Sequence, residues 1–165
     1  MRSRLQSLLV AHGALVFLLG MAAGFPYALV LLHGLATSPP GTVDAPVPGD
    51  VRGWRMAHFE GILHGTLLIA VAAAMPRVSA STRVQTIIAW TLVATAWCNV
   101  VASFIGPLFG GRGLALGGGF ANDLMFVLFT VAVVTVIVAM ALVARGSFRA
   151  ARIQGTAERP PETEG

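Results

Sequence analysis

The chain has 165 residues, of which 56% are hydrophobic and only 11% are charged. Soluble domains carry charge on about a quarter of their residues, so this composition excludes an ordinary water-soluble protein and favours one that lies in lipid. The net charge of +4 comes from arginines at the ends of apolar runs, and no basic stripe with interleaved aromatic residues predicts binding to nucleic acid. A single cysteine, Cys98, excludes an intrachain disulfide and a cysteine-based metal cluster.

Four apolar runs are each long enough to cross a bilayer as a helix, which takes about 20 residues. The first covers about residues 7–35, too long for a cleaved signal peptide, and a segment rich in proline and glycine separates it from the second, at about 54–75. The third covers about 83–105, and the fourth, at about 120–144, follows a glycine-rich loop. We therefore predict an all-α, integral membrane four-helix bundle over residues 1–146 and a polar, disordered tail over 147–165.

The arginines predict the orientation of this bundle, because cytoplasmic loops carry an excess of positive charge. Only three of them fall on one side of the predicted membrane: Arg52, Arg55 and Arg112. The eight on the other side are Arg2, Arg4, Arg77, Arg83, Arg145, Arg149, Arg152 and Arg159. We expect both termini of this multi-pass protein to be cytoplasmic.

The second run carries the most polar residues, and ionisable groups inside a bilayer are functional candidates by default. On a helix, His58 shares a face with Trp54, Gly61 and Gly65. The two glycines form a surface that another helix can approach closely, with His58 hydrogen-bonded across the interface. Alternatively, His58 is an axial iron ligand and the glycines clear space for a porphyrin ring. The residues alone leave both interpretations open.

Other polar residues predict contacts between helices or with a substrate. Glu60 and His64 lie at i, i+4 on nearly the opposite face from His58, as a neutral interhelical pair or a pair that handles protons or orients a substrate. Asn99 and Ser103 lie one turn apart on the third run, which suits an interhelical hydrogen bond or a substrate contact.

Asp123 follows the glycine-rich loop and is placed to cap its helix, to pair with Arg112, or both. The chain has no nucleotide-binding loop, no nucleophile elbow and no zinc-protease helix motif. Any chemistry therefore has to come from a bound cofactor.

Four short motifs follow one another along the chain. They are Ala11-His12-Gly13, Gly53-Trp54-Arg55-Met56-Ala57-His58, Trp97-Cys98-Asn99-Val100, and Arg112-Gly113-Leu114 with Asp123 after it. In order and spacing, over about residues 8–140, this set resembles the styrene oxide isomerase family. The resemblance implies a four-helix membrane enzyme, a homotrimer, that holds haem b between neighbouring protomers. It also implies that ferric iron acts as a Lewis acid on an epoxide oxygen and that a hydride shift then gives an aldehyde.

Through the resemblance, His58 matches the histidine that ligates the haem iron. Asn99 is retained, whereas His64 stands where the family has an asparagine and Ser103 stands where it has a tyrosine. We therefore expect a haem-b-dependent isomerase that converts an apolar epoxide, taken from the lipid, to an aldehyde or ketone by the Meinwald rearrangement. The expected site residues are His58 as metal ligand, Trp54, Gly61 and Gly65 beside the haem, and Asn99, His64, Ser103 and Asp123 in the catalytic pocket.

Two alternatives belong to other classes of protein. In the first, His58 and a neighbouring protomer's His64 both ligate the iron of a non-enzymatic haem protein that transfers electrons or handles haem. In the second, the chain is a structural membrane subunit without a cofactor.

Overall fold

The computed structural model describes residues 2–34 and 46–157, and in these residues it has four long helices, one 3₁₀ turn and no strand. The helices are α1 (Arg2–Gly34), α2 (Val51–Ala74), α3 (Thr82–Phe109) and α4 (Phe120–Ala157), and the 3₁₀ turn Met75–Arg77 follows α2. All four helices are long and apolar enough to cross a membrane. The predicted all-α, integral membrane four-helix bundle is thus confirmed, while the orientation of its termini stays a prediction.

The ends of the helices follow local sequence signals. The side chain of Asp50 accepts a hydrogen bond from the backbone N–H of Gly53 at 2.6 Å and so caps α2. Ser81 caps α3 in the same way. At the other end of α3, Gly110 has φ +82°, a backbone conformation that glycine adopts at little cost, and the helix stops there.

Helices α3 and α4 continue past the C-terminal ends of the apolar runs that predicted them. Helix α3 continues past residue 105 to Phe109, with Pro107 in its last turn. Helix α4 continues past residue 144 to Ala157, so residues 147–157, which we predicted to be disordered, are helical. Alanine and arginine favour a helix even where the chain is polar. The rest of the predicted tail, residues 158–165, lies outside the described residues.

Glycines bring α1 and α2 into direct backbone contact. Gly13 lies against Gly65 and Gly20 against Gly61, so the two helices run antiparallel. A Cβ added at Gly20 would lie 2.6 Å from the backbone nitrogen of Ile62, and one added at Gly65 would lie 2.7 Å from the carbonyl oxygen of Gly13. Only residues without a side chain allow this approach.

The remaining contacts join α3 to α4 and this second pair to the first. The Oγ1 atoms of Thr95 on α3 and Thr135 on α4 lie 2.8 Å apart, which satisfies two polar groups inside the bundle. Leu68 of α2 packs with Ile88 and Leu92 of α3 in the buried core. Each pair of helices therefore contributes one face to a continuous apolar interior.

Substitution of Gly61 tests the α1–α2 contact. Gly61→Ala places a Cβ against the backbone of Gly20, and we expect it to lower the free energy of unfolding by about 1–3 kcal/mol. Gly155→Ala is the control, because a Cβ there meets nothing within 4 Å and alanine is the better helix former. Thermal unfolding in detergent, followed by helical circular dichroism, measures both. Equal stability of the two variants would contradict the contact.

The orientation is tested with single cysteines in a Cys98→Ala background. Leu114, in the loop between α3 and α4, is 74% exposed, and Gly155 lies near the end of α4. If the termini are cytoplasmic, a membrane-impermeant maleimide labels Leu114→Cys in intact cells and labels Gly155→Cys only after the cells are broken. The reverse pattern would place the termini outside.

Candidate functional site

His58 lies on α2 with its ring turned to α1, where a backbone group holds one ring nitrogen. Its Nδ1 is 2.8 Å from the carbonyl oxygen of Gly20. A carbonyl can only accept, so Nδ1 carries a proton, and in the neutral tautomer of this ring the lone pair is on Nε2. Histidines that bind metals are commonly oriented in this way, by donation from the other ring nitrogen.

The surroundings of His58 leave Nε2 available. A Cβ at Gly24 would lie 3.0 Å from Nδ1, so the ring occupies the space that this glycine leaves. The rings of Tyr27 and Phe59 flank the imidazole, at centroid distances of 6.0 and 5.6 Å. Within residues 2–34 and 46–157, no residue forms a hydrogen bond with Nε2, and no three His, Cys, Asp or Glu side chains converge as a metal site. A metal held here would take one ligand from this chain at this position.

The two glycines after His58 are occupied by α1. A Cβ added at Gly61 would meet Gly20, and a Cβ added at Gly65 would meet Gly13 and Phe17. Gly61 and Gly65 therefore belong to the helix interface, the first of the two interpretations, and do not clear space for a porphyrin ring.

A chain of hydrogen bonds starts at Glu60 and crosses from α2 to α3. Nδ1 of His64 lies 3.0 Å from both the carbonyl oxygen and a carboxylate oxygen of Glu60. Nε2 of His64 lies 3.0 Å from the amide nitrogen of Asn99, and that nitrogen is 3.1 Å from the carbonyl oxygen of Thr95. The structure thus brings two of the predicted site residues, His64 and Asn99, into contact.

Ser103 lies one turn beyond Asn99, at a cavity of about 620 Å³ between the start of α2 and the end of α3. The cavity is lined by apolar groups such as Met56, Pro107 and Met125, with Arg52 and Arg112 also in its wall. Ser103 is 1% exposed, and in the described part of the chain its hydroxyl has no hydrogen-bond partner. An unpaired buried hydroxyl is costly, so it is a ready contact for a polar atom of a ligand.

Trp54 holds the segment that precedes α2. Its indole N–H donates to the carbonyl oxygen of Pro48 at 2.7 Å, and its ring packs edge-on against Phe104 of α3. These contacts bury the side chain to 6% exposure. Its predicted place beside a haem stays a prediction.

Asp123 lies apart from the other predicted residues, in the first turn of α4, where it contacts the loop between α3 and α4. Its carboxylate accepts from the backbone N–H groups of Gly117 and Gly118, at 2.8 and 3.3 Å. No ion pair joins it to Arg112 in the residues that the structure describes. The neighbouring Asn122 accepts from the N–H groups of Arg112 and Gly113. Asp123 and Asn122 therefore shape the loop, and the structure does not bring Asp123 to His64 and Asn99.

Within one chain the predicted residues fall into separate places. His58 contacts α1, whereas His64 contacts Asn99 on α3. His64 lies about 9 Å from His58 along the axis of α2, at a rise of about 1.5 Å per residue. Sequence analysis missed the carbonyl of Gly20 and the loop contacts of Asn122. The spacing of the small residues Gly20 and Gly24 could have indicated the contact of His58 with α1. No local sequence pattern indicates the loop contacts of Asn122.

These observations define a multi-pass membrane protein in which His58 faces α1 and a separate polar pair, His64 and Asn99, joins α2 to α3. The chain matches the family model described as styrene oxide isomerase over residues 5–148, and it belongs to that family. It is also 27% identical over 109 residues to a styrene-oxide isomerase from Pseudomonas fluorescens. That alignment covers 66% of this chain and 64% of the relative, so it spans just under two thirds of the relative's length.

The loop contacts of Asp123 give a direct test of its role. In Asp123→Ala the N–H groups of Gly117 and Gly118 lose their acceptor, and we expect their hydrogen exchange to accelerate about tenfold, which corresponds to one hydrogen bond of about 1.4 kcal/mol. Exchange in α1 and α2 should not change. Exchange measured by mass spectrometry checks both regions, and unchanged rates in the loop would refute the role.

Proposed function

We propose that this protein is a haem-b-dependent membrane isomerase that converts an apolar epoxide to an aldehyde or ketone. The observation that carries the proposal is the hydrogen bond from Nδ1 of His58 to the carbonyl oxygen of Gly20, which leaves Nε2 as a lone-pair donor on a half-buried ring. Membership of the styrene oxide isomerase family supports the same reaction class.

The residues at His58 fit a haem. A porphyrin brings four nitrogen ligands of its own and needs one imidazole, which is what this position offers. The side chains of Tyr27 and Phe59 flank the imidazole ring of His58. Phe59 is 59% exposed on the surface of the chain. When bound, ferric haem supplies a Lewis acid that polarises the C–O bond of an epoxide.

The chain's own residues supply the surroundings of the reaction. Isomerisation adds no water, so a site inside apolar helices protects an opened epoxide from hydrolysis. We propose that His64, Asn99 and Ser103 contact the substrate side of the site, and we assign Asp123 to the loop. An apolar epoxide partitions into the surrounding lipid before it binds.

We further propose that the active form is a homotrimer in the inner membrane of a bacterium, with haem between neighbouring protomers. In a single chain, His58 and Asn99 contact different helices on either side of α2. We propose that a haem ligated by His58 would be completed by the His64–Asn99 pair of a neighbouring copy.

The bis-histidine alternative requires a free nitrogen on His64. Its Nδ1 is held by Glu60 and its Nε2 by Asn99, so both ring nitrogens already have partners inside the chain. This is the reason that we favour an isomerase over a non-enzymatic haem protein with two histidine ligands.

The proposal is tested on protein purified in detergent. His58→Ala should lose stoichiometric haem and epoxide isomerisation while the four helices still insert, because insertion depends on apolar length. His12→Ala is the matched control: Nδ1 of His12 accepts from the indole of Trp97, away from the proposed ligand. Absorption spectra, haem content and the aldehyde formed from an aryl epoxide are the measurements. Full haem content in His58→Ala would refute the ligand, and haem-loaded wild type that leaves epoxides unchanged would refute the reaction.

A further inference from the structure

We infer that His64 is a positioning residue that holds the Asn99 side chain with its carbonyl oxygen, and not its amide N–H groups, free to face a ligand. The part of this inference that concerns catalysis rests on the proposed function. The part that concerns the orientation of the amide rests on the hydrogen bonds alone.

The direction of each hydrogen bond follows from groups that can only accept. Nδ1 of His64 faces the carbonyl and carboxylate oxygens of Glu60, so Nδ1 carries the proton. The other ring nitrogen, Nε2, faces the side-chain amide of Asn99. The atom of Asn99 that lies 3.0 Å from Nε2 also lies 3.1 Å from the carbonyl oxygen of Thr95. A carbonyl oxygen can only accept, so the atom of Asn99 beside Thr95 is the amide nitrogen, and Nε2 of His64, which faces that nitrogen, is the acceptor.

Both N–H bonds of the Asn99 amide are used in this arrangement, one on His64 and one on Thr95. In the described part of the chain, Oδ1 of Asn99 accepts no hydrogen bond. Asn99 is also partly buried, where fixed dipoles act more strongly than in water. It therefore offers a ligand a single partial negative charge.

This charge suits the carbon of an opening epoxide. When the C–O bond breaks, its electron pair stays with oxygen and the carbon becomes electron-poor. A hydrogen then migrates with its electron pair from the neighbouring carbon, and the C=O bond forms, so no atom or electron is gained or lost. A carbonyl oxygen directed at the electron-poor carbon stabilises it, whereas an amide N–H group in the same place would destabilise it.

A spectroscopic measurement tests the orientation without any reaction. In protein with ¹⁵N-labelled histidine, His64 should show a protonated Nδ1 and an unprotonated Nε2, with its signals assigned from their loss in His64→Gln. A protonated Nε2 would overturn the inference, because it would turn the oxygen of Asn99 towards the ring.

Kinetics of haem-loaded protein test the consequence. His64→Leu removes the acceptor for Asn99, and we expect kcat on aryl epoxides to fall by roughly 10- to 100-fold with KM little changed. The fall should be larger for para substituents that withdraw electrons, because those substrates depend most on the carbonyl oxygen. His64→Gln, whose side-chain oxygen can accept from Asn99, should recover most of the rate. Thr66→Ala, at an exposed position two residues further along α2, is the control.

Two kinetic results would overturn the catalytic part: a fall of equal size for every substituent, or a glutamine variant no faster than the leucine variant. If the wild type turns over no epoxide, the proposed function fails, and the ¹⁵N measurement still decides the orientation of Asn99.

Discussion

The backbone contact between α1 and α2 is the constraint on which the candidate site depends. Because Gly20 and Gly61 carry no side chains, the two helices lie close enough for the carbonyl of Gly20 to reach the ring of His58. Gly24, one turn further along α1, leaves the volume that this ring fills. A larger residue at any of the three positions would move the imidazole relative to the carbonyl of Gly20. The packing of α1 against α2 therefore determines the orientation of His58, the proposed iron ligand.

Lipid as a solvent explains how the other polar groups are arranged. A polar group inside a bilayer has no water to bond with, so it has to find a partner within the protein. Thr95 pairs with Thr135, and His64 pairs with Glu60 and Asn99, each across or along helices of the bundle. Ser103 is the exception among these polar residues, because its buried hydroxyl is unpaired beside a cavity. The Ser103 hydroxyl is therefore available to form a hydrogen bond with a ligand in the cavity.

Much of the fold could be predicted because apolar length alone specifies a membrane-spanning helix. The C-terminal end of α4 could not be predicted in this way, because hydropathy alone suggests disorder for a polar stretch. Its alanines and arginines nevertheless favour a helix. In the site, small residues beside His58 were recognised, but the spacing of Gly61 and Gly65 is compatible with either a packed helix or a flat ring. Only the position of α1 decides between them. The bond from Trp54 to Pro48 and the cavity at Ser103 depend on parts of the chain that sequence spacing does not relate.

The length of α4 has a mechanical consequence. Its 38 residues measure about 57 Å at 1.5 Å per residue, whereas the hydrocarbon layer is about 30 Å thick. The excess carries Arg145, Arg149 and Arg152, whose spacing of four and three residues places them on one face of the helix. Moving the helix towards the opposite surface would draw these guanidinium groups into the hydrocarbon layer, at a cost of several kcal/mol. We therefore expect the arginines to limit movement of α4 in that direction, and with it the depth of the loop attached to its other end.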